Sequence, residues 1–92
     1  MEEDKYHVKY LMGARAQVDN DNNLKWEYLV KWTEYDEEEA IWEPCRNFRM
    51  ECHLLESFWS MPHHQERASM YLYVVASQEW IDAEKAWYWS QI

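Results

Sequence analysis

Aromatic rings and carboxylates dominate the chemistry this chain can offer. Seven Trp, seven Tyr and two Phe stand among 92 residues, beside 18 Asp and Glu against nine Lys and Arg, for a net charge of −9. Carboxylates are plentiful, but no Ser/His/Asp or Cys/His arrangement with an orienting partner is visible, so there are no candidate catalytic residues and an enzyme is not expected. Cys45, Cys52, His53, His63 and His64 are spaced neither as Cys-x-x-Cys nor as a paired finger, so no metal or other cofactor is expected. An isolated Cys is more often a small buried hydrophobe. The opening Met-Glu-Glu-Asp carries no signal-peptide pattern, which points to a reducing compartment and two free thiols. The acidic excess lacks the basic footprint that nucleic-acid binding leaves, and it suits attraction of a Lys/Arg-rich partner.

The elements that must position these residues can be read in turn. So many aromatics exclude a disordered tail, and the length suits one modest core with one appended element. Residues 6 to 12 mix alternation with an apolar end and read as a strand. Asp19 to Asn23 is turn chemistry. From Leu24 to Trp32, Tyr28, Val30 and Trp32 alternate with Leu29 and Lys31, a second strand antiparallel to the first across a long loop. Asp36 to Glu39 is an unbroken acidic loop, a solvated feature that can also steer a basic partner by attraction that salt weakens. Ala40 to Glu43 forms a third short strand stopped by Pro44, with Trp42 assigned to the core. Cys52, Leu55, Phe58 and Trp59 sit at helical spacing over 50–59, and Pro62 ends or interrupts that helix. The expected fold is α+β: three antiparallel strands closed by one helix, with a further C-terminal helix.

That further helix is expected from Tyr73, Ala76, Trp80, Ala83 and Trp87, which recur at alternating steps of three and four. Tyr71 to Val75 alone also fits a strand, and length decides for helix. A stripe of this kind most often docks on its own domain, and residues 73–87 are otherwise the expected surface for a homodimer or a protein partner. The longest apolar run, Met70 to Ala76, is far too short to cross a membrane.

The segment Tyr28-Leu29-Val30-Lys31-Trp32-Thr33-Glu34-Tyr35, followed by Trp42-Glu43-Pro44, closely resembles the chromodomain signature. In that signature a strand ending in Lys-Trp leads to a Tyr and then to Trp-Glu-Pro. Tyr6-His7-Val8 resembles the family's N-terminal aromatic strand, and Asn47-Phe48 and the helix from Cys52 to Trp59 also fit. The resemblance covers roughly residues 5 to 60, so the expected division is a chromodomain at 1–61 and a helical extension at 62–92. It implies a curved three-stranded sheet and a nuclear, chromatin-bound reader of histone tails.

Carried over by position, the family's three cage aromatics fall on Tyr6, Trp32 and Tyr35, which the resemblance implies surround a methylated lysine. A methylated ammonium keeps its charge but loses N–H donors and hydration, so an aromatic box desolvates it at lower cost. The ring faces attract it by cation–π interaction, about 0.5–2 kcal/mol per favourable contact. Unmodified lysine stays strongly hydrated and gains less. The resemblance further implies that the tail is added as a strand between Lys5 to Lys9 and Cys45 to Arg49. Val8 matches a position packing over a small tail residue, Glu39 an acidic position beside the cage, and Glu43 and Asn47 polar positions that bond the tail. The implied ligand is the histone-three tail, carrying tri- or dimethyl-lysine in an Ala-Arg-Lys-Ser context associated with silencing. Lys9, Thr33-Glu34 and Arg49 depart from the family pattern around the cage. The alternative is a chromo-shadow-like module that dimerises or recruits a partner through the C-terminal aromatic helix.

Overall fold

The computed structural model describes residues 8–46 and 52–90. Four strands form one antiparallel sheet in the order β3-β2-β1-β4. They are β1 (Val8–Val18), β2 (Leu24–Trp32), β3 (Ile41–Pro44) and β4 (Tyr73–Val75), and the helices are α1 (Cys52–Ser60), α2 (Pro62–Tyr71) and α3 (Gln78–Ser90). The three-stranded expectation is therefore corrected to four, and the fourth strand comes from the C-terminal segment.

β1 runs well past its expected end, through Gly13-Ala-Arg-Ala-Gln-Val18, and pairs with β2 as far as Val18↔Leu24. Ala, Arg and Gln prefer helix in isolation, but here two flanking strands override that preference. The expected long loop is thus a tight turn over Asp19 to Asn23. The Asp19 side chain accepts the backbone N–H groups of Asp21 and Asn23, each at 2.9 Å, and Asn22 takes the left-handed conformation at φ 70°. Accepting these N–H groups, the Asn23 bond foremost, holds the Asp19 carboxyl below its usual range.

β4 lies where the aromatic stripe predicted helix. Leu72 caps α2 in the left-handed region at φ 56°, a costly conformation for a branched side chain, and the chain reverses there. Ala16 N–H then donates to the Leu72 carbonyl at 2.9 Å and Ala76 N–H to the Met12 carbonyl at 3.0 Å, bracketing the three β4 residues against β1. Val74 and Ala76 face inward and Tyr73 and Val75 outward, a period of two. A three-residue strand carries too little periodicity to outvote a long helical pattern, and what selects it is the open edge of β1.

Trp42 is also corrected. It is half-buried on the outer face of the sheet, where the Arg15 guanidinium lies 4.2 Å from its ring centre and Arg15 pairs with Glu27 at 2.9 Å. The Trp42 and Tyr73 rings meet at 6.1 Å beside Gly13, the chain's single glycine. A Cβ at Gly13 would fall 2.9 Å from the Val74 carbonyl oxygen, so any larger residue would push β4 off β1.

The core lies on the other face, beneath the helices. Phe58 of α1 is fully buried, edge-on to Tyr28 at 6.2 Å and to Trp80 at 5.2 Å, and stacked on His64 at 4.1 Å. Such aromatic pairs add about 0.5–1.5 kcal/mol each beyond their buried area. Trp59 donates its indole N–H to the Tyr28 hydroxyl at 2.8 Å. Pro62 occupies the first turn of α2, where its missing N–H costs nothing, so it separates two helices.

His64 clips these parts together. Its Nδ1 lies 2.7 Å from the Phe58 carbonyl, and the Ser77 N–H donates to its Nε2 at 3.0 Å, which fixes a neutral ring with the proton on Nδ1. Ser77 then caps α3, its hydroxyl accepting the Trp80 N–H at 3.2 Å. Burial, above all, holds the His64 pKa below its ordinary 6.5. As pH falls through 6.5 the unfolded chain takes up this proton before the folded chain does. The contribution of His64 is therefore complete above that pH and is lost as pH falls toward the lowered folded value. Urea unfolding at pH 7.5 and 5.5 is expected to show lower stability at the acid value, with the difference reduced in His64→Gln. Equal pH dependence in the two proteins would contradict this reading.

Candidate functional site

Trp32 closes β2, and the chain turns directly after it, the Tyr35 N–H donating to the Trp32 carbonyl at 3.3 Å. A single 3-10 turn over Glu37–Glu39 follows and delivers the chain into β3. Along β3 the side chains alternate, so that Ile41 and Glu43 share one face and Trp42 takes the other. Together Trp32, Tyr35, Glu39, Ile41 and Glu43 line a groove of about 440 Å³.

Four of the residues expected to recognise a ligand, Trp32, Tyr35, Glu39 and Glu43, thus converge on one cavity. Tyr6 and Asn47 lie outside the described residues. Val8 pairs with Trp32 across the β1–β2 register and is buried in the core cluster. Tyr35 is 40 % exposed while lining the groove, so part of it is accessible to a ligand. Ile41, half exposed at 50 %, is the lining residue that sequence reasoning missed. Its signal was present in the alternation, since a residue two before Glu43 on a strand shares its face.

Two contacts hold the groove's walls. Lys31 is almost wholly buried and donates from Nζ to the Trp32 carbonyl at 2.6 Å. Its pKa is lowered, chiefly by burial and then by Lys9, with Asp36 and Glu37 pulling the other way. The second contact anchors the acidic turn, where the Tyr10 hydroxyl donates to a Glu37 carboxylate oxygen. Burial first, and the Glu37 carboxylate next, push the Tyr10 hydroxyl well above its ordinary pKa, so it remains a donor. Asp36 N–H donates to the Glu39 side chain at 3.0 Å, and Glu39 N–H to the Asp36 carbonyl at 2.9 Å, closing the turn on itself. The run Asp36 to Glu39 is therefore a built turn, and Glu37 is its root.

No sequence signal pairs Tyr10 with Glu37. Their contact depends on β-bulges between Val8 and Tyr10 and between Leu11 and Gly13, which let both Tyr10 and Leu11 turn inward.

The chemistry of the groove follows from its lining. Two aromatic faces and two carboxylates present negative potential to whatever enters, and Ile41 supplies apolar contact. Such a cavity suits a large, weakly hydrated cation. Among the described residues, no group of three or more His, Cys, Asp or Glu side chains is placed to hold a metal ion.

The family model of the Chromo (CHRromatin Organisation MOdifier) domain matches residues 6–61, more than half of the chain. No curated protein and no solved structure matches it.

Tyr10→Phe removes the anchor of the acidic turn and leaves the ring in place. Loss of a hydrogen bond to a carboxylate is expected to lower unfolding stability by about 1.5–3 kcal/mol. Backbone amides of Asp36 to Ala40 should also exchange faster with solvent. Unchanged exchange there would show that the turn does not depend on Tyr10.

Proposed function

The chain belongs to the chromodomain family, whose members are chromatin-associated, non-enzymatic methyl-lysine readers, and on that footing we propose that this one binds the methylated histone-three tail. The observation that carries the proposal is the convergence of Trp32 and Tyr35 with Glu39 and Glu43 in one groove. Tyr6 supplies the third ring of the cage. Trimethyl- or dimethyl-lysine, in an Ala-Arg-Lys-Ser context, enters this cage while the tail is added as a strand between the segments around Val8 and Asn47. The protein acts in the nucleus, on chromatin, in silencing.

Residues 1–61 form the reader unit and residues 62–92 its extension, which supports the reader through β4 on β1 and α3 on the core. Dimerisation through residues 73–87 has less support. Its stripe is divided, since Trp80 and Ala76 are buried in the chain's own core while Tyr73 lies on β4.

Differential solvation sets the expected selectivity. Two or three rings at about 0.5–2 kcal/mol each give a trimethyl preference of tenfold or more over unmodified lysine. Titration of the 92-residue chain with histone-three tail peptides, followed by tryptophan fluorescence, should show that preference. Trp32→Ala should weaken binding of the methylated peptide at least tenfold while circular dichroism stays unchanged. Equal affinity for methylated and unmodified peptides would refute the proposal.

A further inference from the structure

A second groove, sharing no lining residue with the first, runs between α1 and α3. It measures about 410 Å³ and is lined by His53 and Ser57 of α1 and by Ala83, Glu84 and Trp87 of α3. The Trp87 and His53 ring centroids lie 5.1 Å apart and are inclined at 42°. Trp87 is 49 % exposed, so much of its side chain is accessible from the groove that it lines. Ala83 sits one helical turn before Trp87 and leaves space beside the indole.

Glu84 is the informative residue. It is only 7 % exposed, yet it is a carboxylate. One of its oxygens accepts the Ser57 hydroxyl at 2.8 Å, and the Ser57 oxygen accepts the Trp80 indole N–H at 2.8 Å. This relay orients the carboxyl group. Ser57 is the one partner that Glu84 has among the described residues, and none of their buried side-chain oxygens is unsatisfied. The second Glu84 oxygen is therefore not sealed from solvent, and Glu84 is one of the residues that line the groove. The adjacent Lys85 does not neutralise it, because Lys85 Nζ lies 5.3 Å from the centre of the Tyr10 ring.

We propose that the α1–α3 groove is a second recognition site, taking the cationic side chain of an arginine or lysine from a basic polypeptide. The ligand's N–H groups donate to the second oxygen of Glu84, a charge-assisted bond stronger than a neutral one. Its charge and stem lie against the Trp87 and His53 rings, gaining cation–π attraction and apolar contact. A neutral donor in the same place could bond the carboxylate but would lack the charge assistance and the cation–π attraction. The net charge of −9 raises the local concentration of basic segments near the protein. The site is formed by α1 and α3 alone and shares no lining residue with the aromatic groove beside β3.

The test uses the 92-residue chain and three small probes, Nα-acetyl-arginine amide, Nα-acetyl-lysine amide and the uncharged Nα-acetyl-citrulline amide. Resonances of the Trp87 indole and the His53 ring are followed by NMR. Saturable shifts with arginine or lysine, and not with citrulline, are the expected result, and comparison of the two cations identifies the preferred one. Glu84→Gln preserves size and the Ser57 contact and should weaken binding at least tenfold. Trp87→Ala, at the rim, should do the same without disturbing the core, while Trp32→Ala should leave this binding unchanged. Absence of saturable shifts, citrulline binding as well as arginine, or affinity that tracks Trp32 and ignores both Glu84 and Trp87 would overturn the proposal.

Discussion

β1 is hydrogen-bonded along both edges, to β2 on one side and to β4 on the other, and the candidate site inherits its geometry from that arrangement. A strand flanked on both sides cannot shift register without breaking two ladders, so the inward turn of Tyr10 is fixed. Tyr10 in turn roots Glu37, and the turn that Glu37 anchors separates Tyr35 from Glu39. The C-terminal segment therefore bears on the groove without lining it. Its strand occupies the β1 edge, its helix α3 packs on β1, and Lys85 lies over the Tyr10 ring.

The helical layer is held by a chain of polar contacts inside an aromatic core. His64 joins the end of α1 to the start of α3 through Phe58 and Ser77, and Ser57 joins Trp80 to Glu84. Each buried polar side chain in this relay has a partner, which is the condition for such groups to specify packing at no net cost. The same relay uses one Glu84 oxygen, and among the described residues it gives the other no partner beside the second groove. Both grooves thus combine aromatic faces with carboxylates on an acidic protein, and both favour cations. They differ in hydration preference. Two carboxylates beside Trp32 and Tyr35 with an apolar Ile41 suit a methylated ammonium, whereas a single carboxylate lining the α1–α3 groove suits a donor that keeps its N–H bonds.

Much of this was legible in the sequence wherever the information is local. The alternation over Leu24 to Trp32, the Asp/Asn turn at 19–23, the amphipathic run before Pro62 and the spacing of Trp32, Tyr35 and Trp42-Glu43-Pro44 all correspond to what the structure contains. What escaped was set by partners far along the chain. The strand character of Tyr73–Val75 comes from the free edge of β1, and the extension of β1 through Ala14, Arg15 and Ala16 comes from having a strand on either side. Trp42 faces outward because its neighbours Ile41 and Glu43 face the groove, and Arg15 and Tyr73 then give its ring a surface to pack on. Tyr10 finds Glu37 through two bulges that no residue pattern announces.

The most direct test of this account is where a methylated lysine sits. NMR of the 92-residue chain bound to a trimethylated histone-three tail peptide places the nine equivalent methyl protons by their contacts. The account predicts intermolecular cross-peaks from those protons to the rings of Trp32 and Tyr35, joined by Tyr6, which would then share one cage. Cross-peaks to Trp87 alone, or to none of these rings, would contradict it.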